Sequence, residues 1–269
     1  MATRDMKTWE TSISKVVSTD EEEEIIVRGQ RLSELIGSVS FADMMFLMLQ
    51  GHLPEKPQSR VLDALLVASV EHGIAPPSMI SRCFASYGTS IQSAVGGGIL
   101  AFGDRMGGLG EQLAKLMSEH LAPLDPANRT VEDLTPDLDR LARAVVDDAH
   151  SAGERVPGYG IPLHKADPRA PKVLQIAREE GVFGPYCAFA TRIEQEIADR
   201  RAAKGADGVP MNLDGVGAAV ILDLGFDWRT TRMFLLTARS ISMGAHFLEE
   251  QSQDTTWRHI PASDISYEG

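Results

Sequence analysis

The chain has 269 residues, of which 43% are hydrophobic, and it carries a formal net charge of -12. This composition supplies a sizeable core, in one large domain or in a main domain with a smaller lobe, and excludes an intrinsically disordered chain. The negative charge repels a nucleic-acid backbone, and no basic stripe in the sequence offsets it. We therefore expect a small-molecule ligand and no nucleic-acid partner.

The sequence also argues against a membrane, a disulfide framework and a metal site. No apolar run approaches the ~20 residues that cross a bilayer, and residues 1–15 lack the apolar stretch of a secretory signal, so we expect a cytoplasmic protein. Cys83 and Cys187 form no CxxC pair. The segment HFLEE (246–250) lacks the second histidine of a zinc-protease motif, so no metal is predicted.

Helical periodicity dominates the chain and predicts an all-α fold. The small residues of 89–104 predict a buried helix. Strand-like alternation is confined to short pieces such as 23–30, and three prolines predict a surface connection over 121–138. The predicted helices cover residues 40–54, 59–73, 89–104, 110–122, 135–153, 170–181, 185–205, 214–226 and 228–253.

Two charged residues lie in helices that are otherwise apolar. Asp214 starts the helix 214–226, where it either caps the helix N-terminus or acts as a general acid/base. Arg239 has apolar or small neighbours, so its guanidinium needs an anionic partner, which is either a side chain or a ligand carboxylate. His72, placed at the end of the helix 59–73, is typical of a residue that interacts with a helix C-terminus. The residues alone leave these alternatives open.

The segment GYGIPLHKADPRA (158–170) concentrates charged and turn-forming residues in thirteen positions. Pro168 forces Asp167 out of the helical region, which predicts a turn from which Arg169 opens the next helix. His164, Lys165 and Arg169 are the cations that an anionic ligand would meet here. An ordinary charged surface turn is the alternative.

Taken together, these stretches resemble the citrate synthase superfamily, and more closely its citryl-CoA lyase branch, which includes the C-terminal module of ATP-citrate lyase. The resemblance covers nearly the whole chain, in order. Its motifs are TSIS, RGQRLSELIGSVSFADMMFLMLQGHLP, EHG, GDRMGG, GYGIPLHKADPRA, PMNLDGVGAA, ARSISMGAHFLEEQ and WRHIPASDISY.

The resemblance implies a citrate synthase-like helical fold with a large domain and a smaller mobile lobe that closes over coenzyme A. By position, residues 1–106 and 214–269 would form the large domain and residues 107–213 the small CoA-binding lobe. It also implies a homodimer or a higher multiple of dimers. The substrate would be a coenzyme A thioester that carries a polycarboxylate acyl group.

The resemblance further implies roles for individual residues. Asp214 matches the carboxylate that moves a proton at the α-carbon of the acetyl thioester. Positions that bind the substrate carboxylates are matched by His72, Arg169 and Arg239. Arg258 is a looser candidate for an arginine donated across the dimer interface. Lys165, with Gly158 and Gly160 of the same loop, would meet coenzyme A.

Two departures from the family pattern concern histidines. Synthases carry LHGG where this chain has Arg105-Met106-Gly107-Gly108, so the histidine that hydrogen-bonds the thioester carbonyl is absent. The lyase branch has a similar apolar residue there, which favours the lyase. A second family histidine, which hydrogen-bonds the substrate hydroxyl, is replaced by Ile161, or by Gly160 in the alternative register.

These departures leave three alternatives: His164 substitutes for the missing histidine, the substrate does not need that contact, or the chemistry is impaired. The resemblance therefore implies a lyase that cleaves a 3-hydroxy-3-carboxyacyl-CoA of the citryl-CoA type, with Asp214, His164 and His72 as its catalytic groups. The alternatives are a citrate synthase-like condensing enzyme and a catalytically impaired homologue that binds acyl-CoA or polycarboxylates.

Overall fold

The computed structural model describes residues 9–161, 165–253 and 256–269. Within these residues it contains eleven α-helices and one small sheet, which confirms the all-α prediction. The antiparallel strands are β1 (Ser14–Ser18), β2 (Glu23–Val27) and β3 (Gln30–Arg31). The helices are α1 (Leu32–Leu35), α2 (Phe41–Gln50), α3 (Lys56–Ser69), α4 (Pro76–Ser86), α5 (Ile91–Leu100), α6 (Leu109–Leu121), α7 (Val131–Ser151), α8 (Arg169–Glu179), α9 (Pro185–Ala202), α10 (Leu213–Asp223) and α11 (Thr231–Ser252).

The chain divides into two compact units, Met1–Asp63 and Ala64–Gly269. The first unit has its own small core, in which Val27, Leu35 and Leu47 are buried together. Its helix α2 begins at a capping box, because the Ser40 side chain accepts from the N–H of Asp43 while the Asp43 carboxylate accepts from the N–H of Ser40. The sequence had predicted that helix start.

The second unit is built around α10, which is apolar on every side. Residues 215–222 are all buried, which is the pattern of a helix at the centre of a core. α10 packs against α6, α8 and α9, while α11 packs against α4 and α5. The first turn of α10, which carries Asp214, therefore lies on the most enclosed helix of this unit.

Three predictions of helix position are wrong in part. No helix is predicted over the residues of α4, which opens with Pro76 and Pro77, although proline is well tolerated in the first turn of a helix. The connection predicted over 121–138 ends early, because α7 begins at Val131, after a capping box made by Thr130 and Asp133. α3 ends at Ser69, so His72 lies in the loop beyond it rather than at a helix end.

The helix predicted over 89–104 is not buried as a whole. In α5 only Ala94 and Gly98 are buried, and Leu100 is 85% exposed. Gly98 lies on the side of α5 that packs against α11. A Cβ at this position would be 2.7 Å from Sδ of Met243 on α11, so the glycine allows the close approach. Among the described residues, no helix is both long and apolar enough to cross a membrane.

Candidate active site

Asp214 lies in the first turn of α10, and its carboxylate is not the helix cap. The cap is Asn212, whose side-chain oxygen accepts from the N–H of Gly215 at 3.1 Å. Within the described parts of the chain, the Asp214 carboxylate makes no hydrogen bond. The structure therefore gives the capping role to a neighbour and leaves the Asp214 carboxyl available for other chemistry.

The surroundings of Asp214 favour its protonated form. Burial raises the pKa of the Asp214 carboxyl above its ordinary value, and the charge of Asp167 acts in the same direction. The positive charges of Arg169 and Arg239 oppose this shift in part. A carboxyl with a raised pKa next to two guanidinium groups has the properties of a general acid beside an anion-binding site.

Arg239 is buried in the middle of α11, and its side chain is incompletely paired. Its Nη1 atom lies 3.8 Å from Oε1 of Glu71, which is longer than a hydrogen bond. Its Nε atom is buried and has no hydrogen-bond partner among the described residues. Because a buried donor without an acceptor is costly, Arg239 is suited to an anionic ligand.

Glu71 is a site residue that the sequence analysis missed. Its carboxylate accepts from the Ser242 hydroxyl and, at 2.8 Å, from the backbone N–H of His72, and it lies 3.3 Å from Nε2 of His246. Burial acts to raise the pKa of Glu71, but these hydrogen bonds and the nearby charges of His246 and Arg239 hold that pKa below its ordinary value. Glu71 is thus an anion beside Arg239 that is held mainly by other groups.

Arg169 opens α8, as predicted, and is bound to Asp167. Its Nε and Nη2 atoms donate to the two carboxylate oxygens of Asp167 at 2.9 and 2.8 Å. Asp167 is buried and also accepts from the N–H of Leu213 at 3.0 Å, so the pair joins the start of α8 to the start of α10. Nη1 of Arg169 makes only a long contact, 3.4 Å, with the carbonyl of Ala68, so this atom keeps capacity for a ligand.

The glycines of the loop 158–161 have a structural reason. Gly158 and Gly160 both have positive φ values, +87° and +80°. The Gly158 carbonyl accepts from the N–H of Asn212, and the Gly160 carbonyl accepts from the Asn212 side chain at 2.6 Å. The position of a Cβ on Gly215 would lie 2.4 Å from the Gly158 carbonyl oxygen. The loop therefore approaches the start of α10 backbone to backbone.

This close approach predicts a large effect of one methyl group. We expect Gly215→Ala to lower the free energy of unfolding by about 1–3 kcal/mol, the usual cost of overpacking a core. Gly217→Ala, two residues further along α10, is the matched control, because its Cβ would lie 3.7 Å from the Leu65 side chain, an ordinary van der Waals contact. Denaturant unfolding of both variants tests this, and equal stabilities would contradict the close approach.

The remaining predicted residues are placed as follows. His72 is partly buried and adjoins Glu71 in the loop after α3. Lys165 is exposed, and His164 lies outside the described residues. Arg258 binds Glu250 through Nε and Nη2 at 2.6 and 2.9 Å.

Arg258 is therefore not grouped with Arg239 within one subunit. Glu250 lies eleven residues further along α11 than Arg239, about 16 Å along the helix axis. The structure thus brings together the charges of Asp214, Arg169 and Arg239, with His72 adjoining Glu71. A contribution of Arg258 across a dimer interface stays a prediction.

Comparisons with known proteins agree on the family. The model of the family described as citrate synthase, C-terminal domain, matches residues 55–260. A solved structure of citryl-CoA lyase from Hydrogenobacter thermophilus is 33% identical, with a TM-score of 0.80, over 97% of this chain and 94% of that one.

More distant relatives are longer proteins. ATP citrate lyase from Methanothrix soehngenii, solved in complex with citrate and coenzyme A, is 19% identical with a TM-score of 0.75, over 99% of this chain and 42% of that one, which supports the fold. A protein described as putative citrate synthase 2, from Mycobacterium tuberculosis, is 28% identical over 74% of this chain and 49% of its own length. The chain spans about half the length of the curated relatives it matches.

Proposed function

We propose that this chain, which belongs to the citrate synthase family, is a CoA-dependent carbon–carbon lyase of the citryl-CoA lyase type. It would cleave a 3-hydroxy-3-carboxyacyl-CoA into acetyl-CoA and a 2-oxoacid such as oxaloacetate. One observation carries the proposal: the Asp214 carboxyl, with its raised pKa, is next to the charges of two guanidinium groups, one of which has an unpaired buried Nε. The similarity to a citryl-CoA lyase and the apolar Met106 support the lyase over a synthase.

The proposed reaction is a retro-Claisen cleavage. The substrate hydroxyl loses its proton to a base, for which His72 and His164 are the candidates, and the oxygen becomes a ketone. The carbon–carbon bond breaks, and its electron pair passes to the thioester, which becomes an enolate. Asp214 then gives its proton to the α-carbon and is left as the carboxylate, so that the products are the 2-oxoacid and the acetyl thioester.

The cations fix the substrate for this step. Arg239 offers Nε and the unpaired part of its guanidinium to one substrate carboxylate, and Arg169 offers Nη1 to another. His72, whose backbone N–H donates to Glu71, would complete the carboxylate site. Such fixed orientation of the substrate contributes a large part of the rate in reactions of this kind.

Coenzyme A would lie on the loop of Gly158 and Gly160, with Lys165 near its phosphates. Lys165 is exposed and lies four residues before Arg169 in the chain. The proposed phosphate contact and the proposed carboxylate contact therefore come from the same segment. We propose that residues 107–213 form the CoA-binding lobe and that this protein acts in the cytoplasm. Because Ile161 replaces the family histidine in this loop, His72 and His164 are the candidates for the base.

A homodimer is part of the proposal. Large apolar side chains are exposed on α4, α5 and α11, three helices that pack against one another. They are Met79, Ile91, Leu100, Ile241 and Leu248, whose exposed fractions range from 43% to 85%. Apolar surface of this kind is typical of a subunit interface.

A panel of acyl-CoA thioesters that includes citryl-CoA tests the function. The purified protein is incubated with each thioester, and the free 2-oxoacid and the shortened thioester are followed by mass spectrometry. We expect both products to appear together from a 3-hydroxy-3-carboxyacyl-CoA. Thermal stabilisation by CoA esters without product from any member of the panel would overturn the lyase and indicate a binding protein.

A further inference from the structure

A small cavity lies beside Asp214 on the side of α6 and the start of α11. Its volume is about 30 Å³, and Asp214, Arg232, Thr231, Ser69 and Gly107 are among the residues that line it. A space of this size holds one or two groups as large as a water oxygen. The cavity is therefore too small for a whole substrate but fits a single oxygen of one.

Arg232 is the side chain in this cavity whose donors are incompletely used. Its Nη2 atom lies 2.7 Å from Oδ1 of Asp104 and 3.3 Å from Oε1 of Glu111. Its Nε atom is buried and has no hydrogen-bond partner among the described residues. The ion pairs explain why the guanidinium is there, but they leave Nε without an acceptor.

The other side-chain hydroxyls of the cavity are already committed as donors. Ser69 donates to the carbonyl of Leu65 at 2.7 Å, and Thr231 donates to the carbonyl of Trp228 at 2.8 Å. Among the described side chains that line the cavity with Asp214, Arg232 therefore has the buried donor without an acceptor. It lies seven residues before Arg239 on α11, so the two guanidinium groups lie on the same face of that helix, two turns apart.

We propose that Arg232 is a further catalytic residue and that the cavity receives the thioester carbonyl oxygen, to which Nε of Arg232 donates. This inference rests on the proposed function. When the carbon–carbon bond breaks, its electron pair moves to that oxygen, which becomes the enolate oxygen, and Nε stabilises the new charge without giving up its proton. The electron pair returns when Asp214 protonates the α-carbon. The Met106 side chain has no hydrogen-bond donor for this oxygen, and Arg232 supplies one instead.

Two variants separate the donor from its ion pairs. Arg232→Lys keeps a positive charge for Asp104 and Glu111 but has no Nε donor, and Arg232→Gln is the second variant in case the lysine disturbs folding. We expect kcat to fall about 10²- to 10³-fold, the usual effect of losing one such donor, while KM for the thioester changes by only a few fold. Arg229→Lys is the matched control: it makes the same exchange at a guanidinium that is 72% exposed and pairs with Asp227, away from the residues that line the cavity, and it should leave kcat within about twofold.

A binding measurement gives a second readout that does not depend on turnover. Carboxymethyl-CoA carries a carboxylate that imitates the enolate, and acetonyl-CoA, with a neutral ketone, is its uncharged counterpart. Calorimetry should show that the wild-type protein prefers the anionic compound and that Arg232→Lys loses most of this preference. An unchanged preference, or an unchanged kcat, overturns the role of Arg232 alone. If the wild-type protein binds neither compound and cleaves no thioester, the proposed function fails, and this inference fails with it.

Discussion

Replacing Asp214 by asparagine should reduce cleavage of the thioester by about 10²- to 10⁴-fold, the usual contribution of a general acid. The amide has the same shape but no proton to give to the α-carbon. The substitution should leave the fold intact, because Asn212 caps α10 and no described residue hydrogen-bonds to the Asp214 carboxylate. Single-turnover cleavage followed by mass spectrometry, together with the thermal midpoint of unfolding, measures both expectations.

The matched control for this variant is Asp139→Asn, which changes a surface carboxylate that pairs with Arg192. It should leave cleavage unchanged. Full activity of Asp214→Asn in a well-folded protein would exclude Asp214 as the proton donor and return attention to the histidines. A loss of activity that accompanies unfolding would instead show that Asp214 stabilises the start of α10, a role that the structure gives to Asn212.

The pH dependence of cleavage follows from the same carboxyl group. In the cleavage direction Asp214 must begin protonated, and burial raises its pKa, so the active form extends to higher pH than for an ordinary aspartate. Cleavage should therefore fall as pH rises through this raised pKa. The residual activity of Asp214→Asn should lack that decrease. Condensation needs the carboxylate and should respond to pH in the opposite direction.

The fold was predictable to the extent that local patterns determined it. Ser40 and Asp43 make the capping box that starts α2, and the apolar run over 214–226 predicts the helix α10. Prolines were an unreliable guide to helix ends. Pro76 opens α4, where the helix needs no N–H from it, whereas Pro136 lies inside α7, and the helix continues although one hydrogen bond is lost there. The exposed side of α5 was missed because composition does not say what covers an apolar helix.

The candidate site was predictable where a single residue contradicted its surroundings. Asp214 and Arg239 were found because each places a charge in an apolar helix. Glu71 and Arg232 were missed because their roles depend on partners that are distant in the chain. Glu71 accepts a hydrogen bond from Ser242, which is 171 residues away, and lies beside His246. No periodicity in one sequence records such pairs.

Replacing Arg239 by methionine should weaken binding of the substrate carboxylate about 10- to 100-fold, because hydrogen bonds to charged groups contribute about 1.5–3 kcal/mol. Methionine fills much of the same buried space without a charge that has to be desolvated, so the fold should persist. Glu71 keeps the Ser242 hydroxyl and the His72 N–H as partners in this variant. The change should appear in KM for the acyl-CoA and in Kd for free 2-oxoacids.

Glu71→Gln is the matched variant on the other side of the pair, and its effect should have the opposite sign. Glu71 places a negative charge 3.8 Å from Arg239, where it competes with an incoming carboxylate. The amide removes this charge but can still accept from Ser242, so anionic ligands should bind a few fold more tightly. If Glu71→Gln weakens binding as Arg239→Met does, then Glu71 positions the substrate rather than competing with it. If Arg239→Met leaves binding unchanged, the carboxylate site does not lie on α11.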